Sequence, residues 1–180
     1  MSAYLLILFA MFSRVAVASH HSWLNFTAIG GSLLFFGARR PLRQAILPVL
    51  ALIGLDYYMT TQIYDYPFAA QDYLITWVWY VAVIILGHLL LRDRRSAGRV
   101  ATAVVLSSTS FFLATNFAAW AVLRGIYPHS FSGLMTAYAA GLPFYRNDLL
   151  STTLVAGLAF GLPALIEHYR GHEVAAHKAA

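Results

Sequence analysis

The chain has 180 residues, 60% of them hydrophobic and only 11% charged. Ordinary soluble domains carry roughly 25% charged residues, so this composition, with a mean hydropathy of +0.66, excludes a conventional water-soluble domain and points to one membrane-embedded domain. The net charge of +5 does not mark a nucleic-acid binder, since the basic residues flank apolar segments, and the absence of cysteine excludes disulfides, thiolate metal sites and cysteine nucleophiles.

Six apolar segments follow in chain order. The first runs from Ala3 to Ser19. It lacks a basic n-region and reads as a retained helix rather than a cleaved signal. The second, Phe26 to Ala38, has 13 residues and covers only about 20 Å as a helix, short of the roughly 30 Å hydrocarbon core. It must borrow from Ser22-Trp23-Leu24 or lie buried among its neighbours, and its Gly30-Gly31 pair permits close backbone approach. The third runs from Pro41, a natural first-turn residue, to Thr61. The fourth spans Tyr73 to Leu91, and the fifth spans Val100 to Leu123. The long gap from Arg124 to Asp148 is bounded by Pro128 and Pro143 around an apolar centre, Leu134 to Leu142, and is expected to form an interfacial helix that caps the bundle. The sixth segment runs from Leu149 to Tyr169, with Gly157 and Gly161 spaced for tight helix packing. Residues 1–170 thus form a single transmembrane domain, and 171–180 a disordered cytoplasmic tail.

Charge is sorted between these segments. Arg39, Arg40 and Arg43 fill one gap. Arg92, Arg94, Arg95 and Arg99 fill another, and Arg170 and Lys178 sit in the tail. Short loops rich in Lys and Arg stay cytoplasmic, so both termini are expected in the cytoplasm of an inner-membrane protein. The alternate gaps hold His20, His21, Tyr64-Asp65-Tyr66, Asp72, His129 and Arg146-Asn147-Asp148, and face outward. Trp23, Tyr73, Trp77, Trp120 and Tyr127 lie near segment ends, where amphipathic rings favour the membrane interface.

Ionisable groups inside membrane helices are costly and usually face a bundle interior or a water-filled cavity. Here Arg14, Asp56, Asn116, Arg146, Asn147 and Asp148 fall in the outer halves of their segments. One reading has Arg14 and Arg146 simply pairing with Asp56 and Asp148 to hold the bundle together. The other has all six lining an outward-facing pocket, with Tyr57, Tyr58, Tyr80 and Trp120 as aromatic walls. No metal site is expected from His20, His21, His129 and Asp65, because adjacent histidines in extended chain point in opposite directions. His168 and His172, followed by Glu173 and His177, read as a solvated helix end, and His88 as a residue hydrogen-bonded within the bundle. Ser107, Ser108, Thr109 and Ser110 are ordinary packing residues between membrane helices. No nucleophile–base pair, HExxH, GxSxG or phosphate loop is present, so an enzyme is not expected.

Three stretches carry a family likeness: Leu24-Asn25-Phe26-Thr27-Ala28-Ile29-Gly30 with Phe35-Phe36-Gly37, then Phe112-Leu113-Ala114-Thr115-Asn116-Phe117, then Gly141-Leu142-Pro143-Phe144-Tyr145-Arg146-Asn147-Asp148-Leu149-Leu150. Over about residues 14–162 the chain resembles a family of small bacterial membrane proteins classed as a domain of unknown function. That family in turn is similar to the S components of energy-coupling factor transporters. The resemblance implies an all-α bundle of about six transmembrane helices, a ligand pocket near the outer face, and energising transporter subunits as partners beside the lipid bilayer. The expected function is capture of a small-molecule solute, a nutrient or cofactor precursor, without a bound cofactor. The alternative is a structural or assembly membrane protein that binds no ligand.

Overall fold

Apolar segments joined by polar turns fold into six α-helices, and no strand occurs among the described residues. The computed structural model describes residues 2–18, 26–93, 96–122 and 125–179, with side chains through Ile166. The helices are α1 (Ser2–Ala18), α2 (Ile29–Arg39), α3 (Ile46–Tyr58), α4 (Leu74–Leu91), α5 (Ala97–Val122) and α6 (Phe131–Ala179). A π-helical turn, Met59–Ile63, continues α3, and 3-10 turns at Leu42–Gln44 and Ala70–Tyr73 lead into α3 and α4. Four stretches are long and apolar enough to cross a membrane: Leu42–Ile63, Ala70–Leu91, Ala97–Val122 and Phe131–Ile166. The outward faces are apolar too, with Phe12 70% and Leu89 69% exposed. Such a surface would aggregate in water and suits lipid. The chain is an all-α helical membrane bundle.

The short second helix is the hub. Every residue of α2 from Ile29 to Ala38 is buried, with α4 and α6 as its main neighbours and α1 alongside. Eleven residues cover only about 16 Å, so α2 is buried among its neighbours, as its length requires. Glycine makes the crossing with α4 possible. A Cβ on Gly37 would meet the carbonyl oxygen of Ile84, and one on Gly87 that of Leu34. Gly30 and Gly31 likewise let α2 approach Thr152 and Val155 of α6. Gly157 and Gly161, expected at a tight interface, face outward with nothing within 4 Å of an added Cβ. Their spacing places them on one face of α6, but that face is turned away from the bundle.

The second correction concerns the segment expected to cap the bundle. Residues 131–148 form the first turns of α6, which runs through Pro143 without interruption. Proline removes one backbone hydrogen bond, and contacts with α5 hold the helix on both sides of it. The Tyr145 hydroxyl lies 3.0 Å from Thr109 Oγ1, Tyr138 donates to the Leu113 carbonyl at 3.2 Å, and Phe112 packs against both tyrosine rings. Trp120 closes the hairpin turn by donating to the Pro128 carbonyl at 3.0 Å and stacking on His129.

Arg40, Arg92 and Arg99 lie away from the hairpin turn. Arg40 lies over the Tyr4 ring, Tyr4 donates to Gln44 at 3.0 Å, and Arg99 donates to the Leu90 carbonyl at 2.6 Å. His88 meets Arg92 there at 3.1 Å. Of the residues singled out in the sequence, His20, His21, Ser22, Trp23, Leu24, Arg94, Arg95 and Arg124 lie outside the described residues. So do the side chains of His168, Arg170, His172, Glu173, His177 and Lys178.

Candidate functional site

Asp56 ends an otherwise apolar α3 and is fully buried. A carboxylate there requires donors, and three side chains supply them. Arg14 of α1 forms an ion pair with Oδ1 at 2.5 Å. Trp77 Nε1 donates to Oδ2 at 2.9 Å, and the Tyr80 hydroxyl lies 3.4 Å from the same oxygen. Trp77 and Tyr80 are three residues apart on α4 and share a face. Arg14 also donates to the Tyr80 hydroxyl at 2.7 Å, which closes the triangle. Behind it, the π-turn places Thr60 so that its hydroxyl donates to the Asp56 carbonyl at 2.7 Å and meets the Tyr73 hydroxyl at 2.5 Å. Phe68, Tyr73 and Trp77 stack over this wall. Asp65, with a φ of 54°, turns the chain just after it; Asp is among the few residues that tolerate that region.

Beside the triangle is a polar niche of about 110 Å³. Arg14, Tyr80, Trp79, Phe111 and Thr27 line it, and Asp148 of α6 faces them. Asp148 is buried, and its Oδ2 has no hydrogen-bond partner among the described residues. Ser108 of α5 is its polar neighbour, and the Ser108 side chain is fully buried.

A second cavity opens next to the niche. It has a volume of about 570 Å³ and lies between α1 and α6, with Phe9, Ser13, Val17, Thr27, Leu154 and Val155 among its walls. Residues 26–28, just before α2, are not helical, and among the described residues no helix fills the space between α1 and α6 at that depth. The groove is apolar because its hydroxyls serve the backbone. Ser13 donates to the Ala10 carbonyl at 2.7 Å and accepts from the Ala28 amide at 3.0 Å, while Ser151 donates to the Asp148 carbonyl at 3.0 Å. Thr27 lines both cavities.

Of the ten residues proposed from sequence, the structure brings together Arg14, Asp56 and Tyr80, with Asp148 across the niche. It does not bring the others there. Tyr57 and Tyr58 are 54% and 51% exposed, because successive residues on a helix lie about 100° apart and Asp56 takes the inward position. Asn116 donates to its own helix at the Phe112 carbonyl and packs against Gly141. Trp120 serves the hairpin turn. Arg146 is exposed and makes no ion pair among the described residues, although the sequence suggested Asp148 as its partner. Two residues apart on one helix they point to different faces. Asn147 is half-buried between them.

Sequence reasoning missed Trp77 as a ligand of Asp56, Ser108 as the neighbour of Asp148, and the whole groove. Trp77 stands three residues before Tyr80, a spacing that could have flagged it. The groove left one indirect signal, a segment too short to span the bilayer.

No curated protein and no solved structure matches the chain. A family model does, over residues 1–175, and by that match the chain belongs to a family of unknown function, DUF6580.

Proposed function

We propose that the chain is a solute-binding component of the bacterial inner membrane that captures a small organic molecule in the groove between α1 and α6. The observation that carries this reading is the shared wall at Thr27. Thr27 borders both an apolar space of about 570 Å³ and a niche holding Arg14, Tyr80 and Asp148. Small-molecule sites are typically about 300–1,000 Å³, mostly apolar, with a few placed polar groups, and this pair of cavities has that form. In its fullest form the reading makes the chain an S-component-like subunit with both termini cytoplasmic, handing its solute to energising transporter subunits. The six-helix bundle, and the position of Arg40, Arg92 and Arg99 away from the hairpin turn, support that form.

One observation favours a structural or assembly protein with no ligand. Asp56 is already served by Arg14, Trp77 and Tyr80, so this triangle ties α1, α3 and α4 together whether or not a solute binds. Native mass spectrometry of the gently purified protein separates the two. The solute reading expects a co-purifying small molecule in the wild type and its loss from Ala16→Trp, since Ala16 of α1 also lines the groove and a tryptophan there fills it. A wild type with no bound small molecule favours the structural reading.

A further inference from the structure

Asp148 faces the niche from the inner side of α6, three residues before Ser151 at the groove and four before Thr152. Residues so spaced share a helix face. Asp148 is 6% exposed, and Ser108 and Thr152 are fully buried. Asp148 Oδ2 and the Thr152 hydroxyl lack a hydrogen-bond partner among the described residues, Ser108 is the polar neighbour of the carboxylate, and no ion pair there reaches it. Arg14 does not neutralise Asp148, because its guanidinium is held by Asp56 and Tyr80. The N-terminus of α2 reaches the niche at Ile29 and contributes about half a positive charge. One full negative charge therefore faces about half a positive one. Water can satisfy the hydrogen bonds of a carboxylate but not its charge, and an unbalanced charge at membrane depth is costly. The groove holds no charged side chain on its walls.

From this complementarity we infer that the solute is a small amphiphile bearing a protonated amine. The ammonium group occupies the niche and donates to Asp148 Oδ2, with Ser108 supporting the carboxylate from α5. The apolar body lies in the groove between Phe9, Val17 and Leu154. From Asp148 to Val155 is about 10 Å along α6, which sets the length of the body. The inference rests on the groove reading of the preceding section and adds the charge of the head group.

The test uses three eight-carbon probes with the full chain in lipid nanodiscs: octylammonium, octanol and octanoate. Binding is read as saturable thermal stabilisation at submicellar concentrations. Octylammonium is expected to bind at least about tenfold tighter than octanol, a difference of the size that one charge-assisted hydrogen bond supplies, and octanoate more weakly still. Asp148→Asn should bring octylammonium down to the octanol level while octanol is unchanged. Ser108→Ala, which keeps the charge, should weaken octylammonium alone. Equal binding of octylammonium and octanol overturns the amine inference and leaves the groove reading standing. So does an Asp148→Asn protein that retains the preference. If none of the three probes binds, the groove reading fails and the inference fails with it.

Discussion

Substituting Asp56 tests whether the triangle of α1, α3 and α4 organises the bundle. Asp56→Asn keeps the shape and removes the charge, which leaves Arg14 with only Tyr80 among its two partners able to stabilise the cation. Removing one member of a buried pair costs about 3–5 kcal/mol. The Asp56 side chain is 0% exposed and that of Arg14 21%, so solvent relieves part of the penalty and the expected loss is about 3 kcal/mol. That is more than about a hundredfold in the folding equilibrium. Arg14→Met leaves Asp56 with Trp77 and Tyr80 as donors, so its cost is lower, about 2–3 kcal/mol. The double variant removes both charges and should cost about 1 kcal/mol or less, since a neutral pair of similar volume often replaces a buried ion pair without loss. The assay is reversible unfolding in mixed micelles with rising dodecyl sulfate, followed by tryptophan fluorescence, with Trp77 reporting from the cluster itself. If each single variant loses under about 0.5 kcal/mol, the range of ordinary surface substitutions, the reasoning is refuted. Losses that simply add in the double variant refute it too.

Four further outcomes follow from the packing and the charge distribution. Gly87→Ala should destabilise by at least about 2 kcal/mol, as overpacked cores do, because its Cβ meets the Leu34 carbonyl. Gly157→Ala should be neutral or stabilising in the same micelle assay, since nothing lies within 4 Å of its Cβ and alanine is the better helix former. Reporter fusions after Gly98 and after Ala180 should both report cytoplasm; a periplasmic signal from either contradicts the charge-sorting argument. Arg146→Ala should leave the occupancy of a co-purified solute unchanged in native mass spectra, as Arg146 is exposed on α6; loss of the solute would bring that face of α6 into the site.

Composition and hydrophobic runs made the all-helical membrane fold legible, and the length of the second segment made the burial of α2 legible. The Arg14–Asp56 pair was legible from energetics, because two opposite charges at similar depth have to find partners. Facing was harder to read. Gly157 and Gly161 have the spacing of a packing motif, but spacing does not say which way a helix is turned. The break expected before Leu149 came from reading Pro143 and the polar run Arg146-Asn147-Asp148 as a helix start. In the fold, Thr109 and Phe112 hold α6 against α5 across that stretch. Hydroxyls such as Ser107 and Ser108 look like ordinary packing residues in sequence, and only the three-dimensional arrangement shows that Ser108 stands beside the buried carboxylate of Asp148. The groove is a gap between helices, and gaps have no residues of their own to announce them.

A solute in the space between α1 and α6, with its polar end at Asp148, should be visible by cryo-electron microscopy of the natively purified protein in nanodiscs. The expected result is continuous non-protein density running from between Phe9 and Leu154, past Thr27, to within hydrogen-bonding distance of the Asp148 carboxylate. A groove closed by direct packing of α1 on α6, with no density beside Asp148, would contradict it.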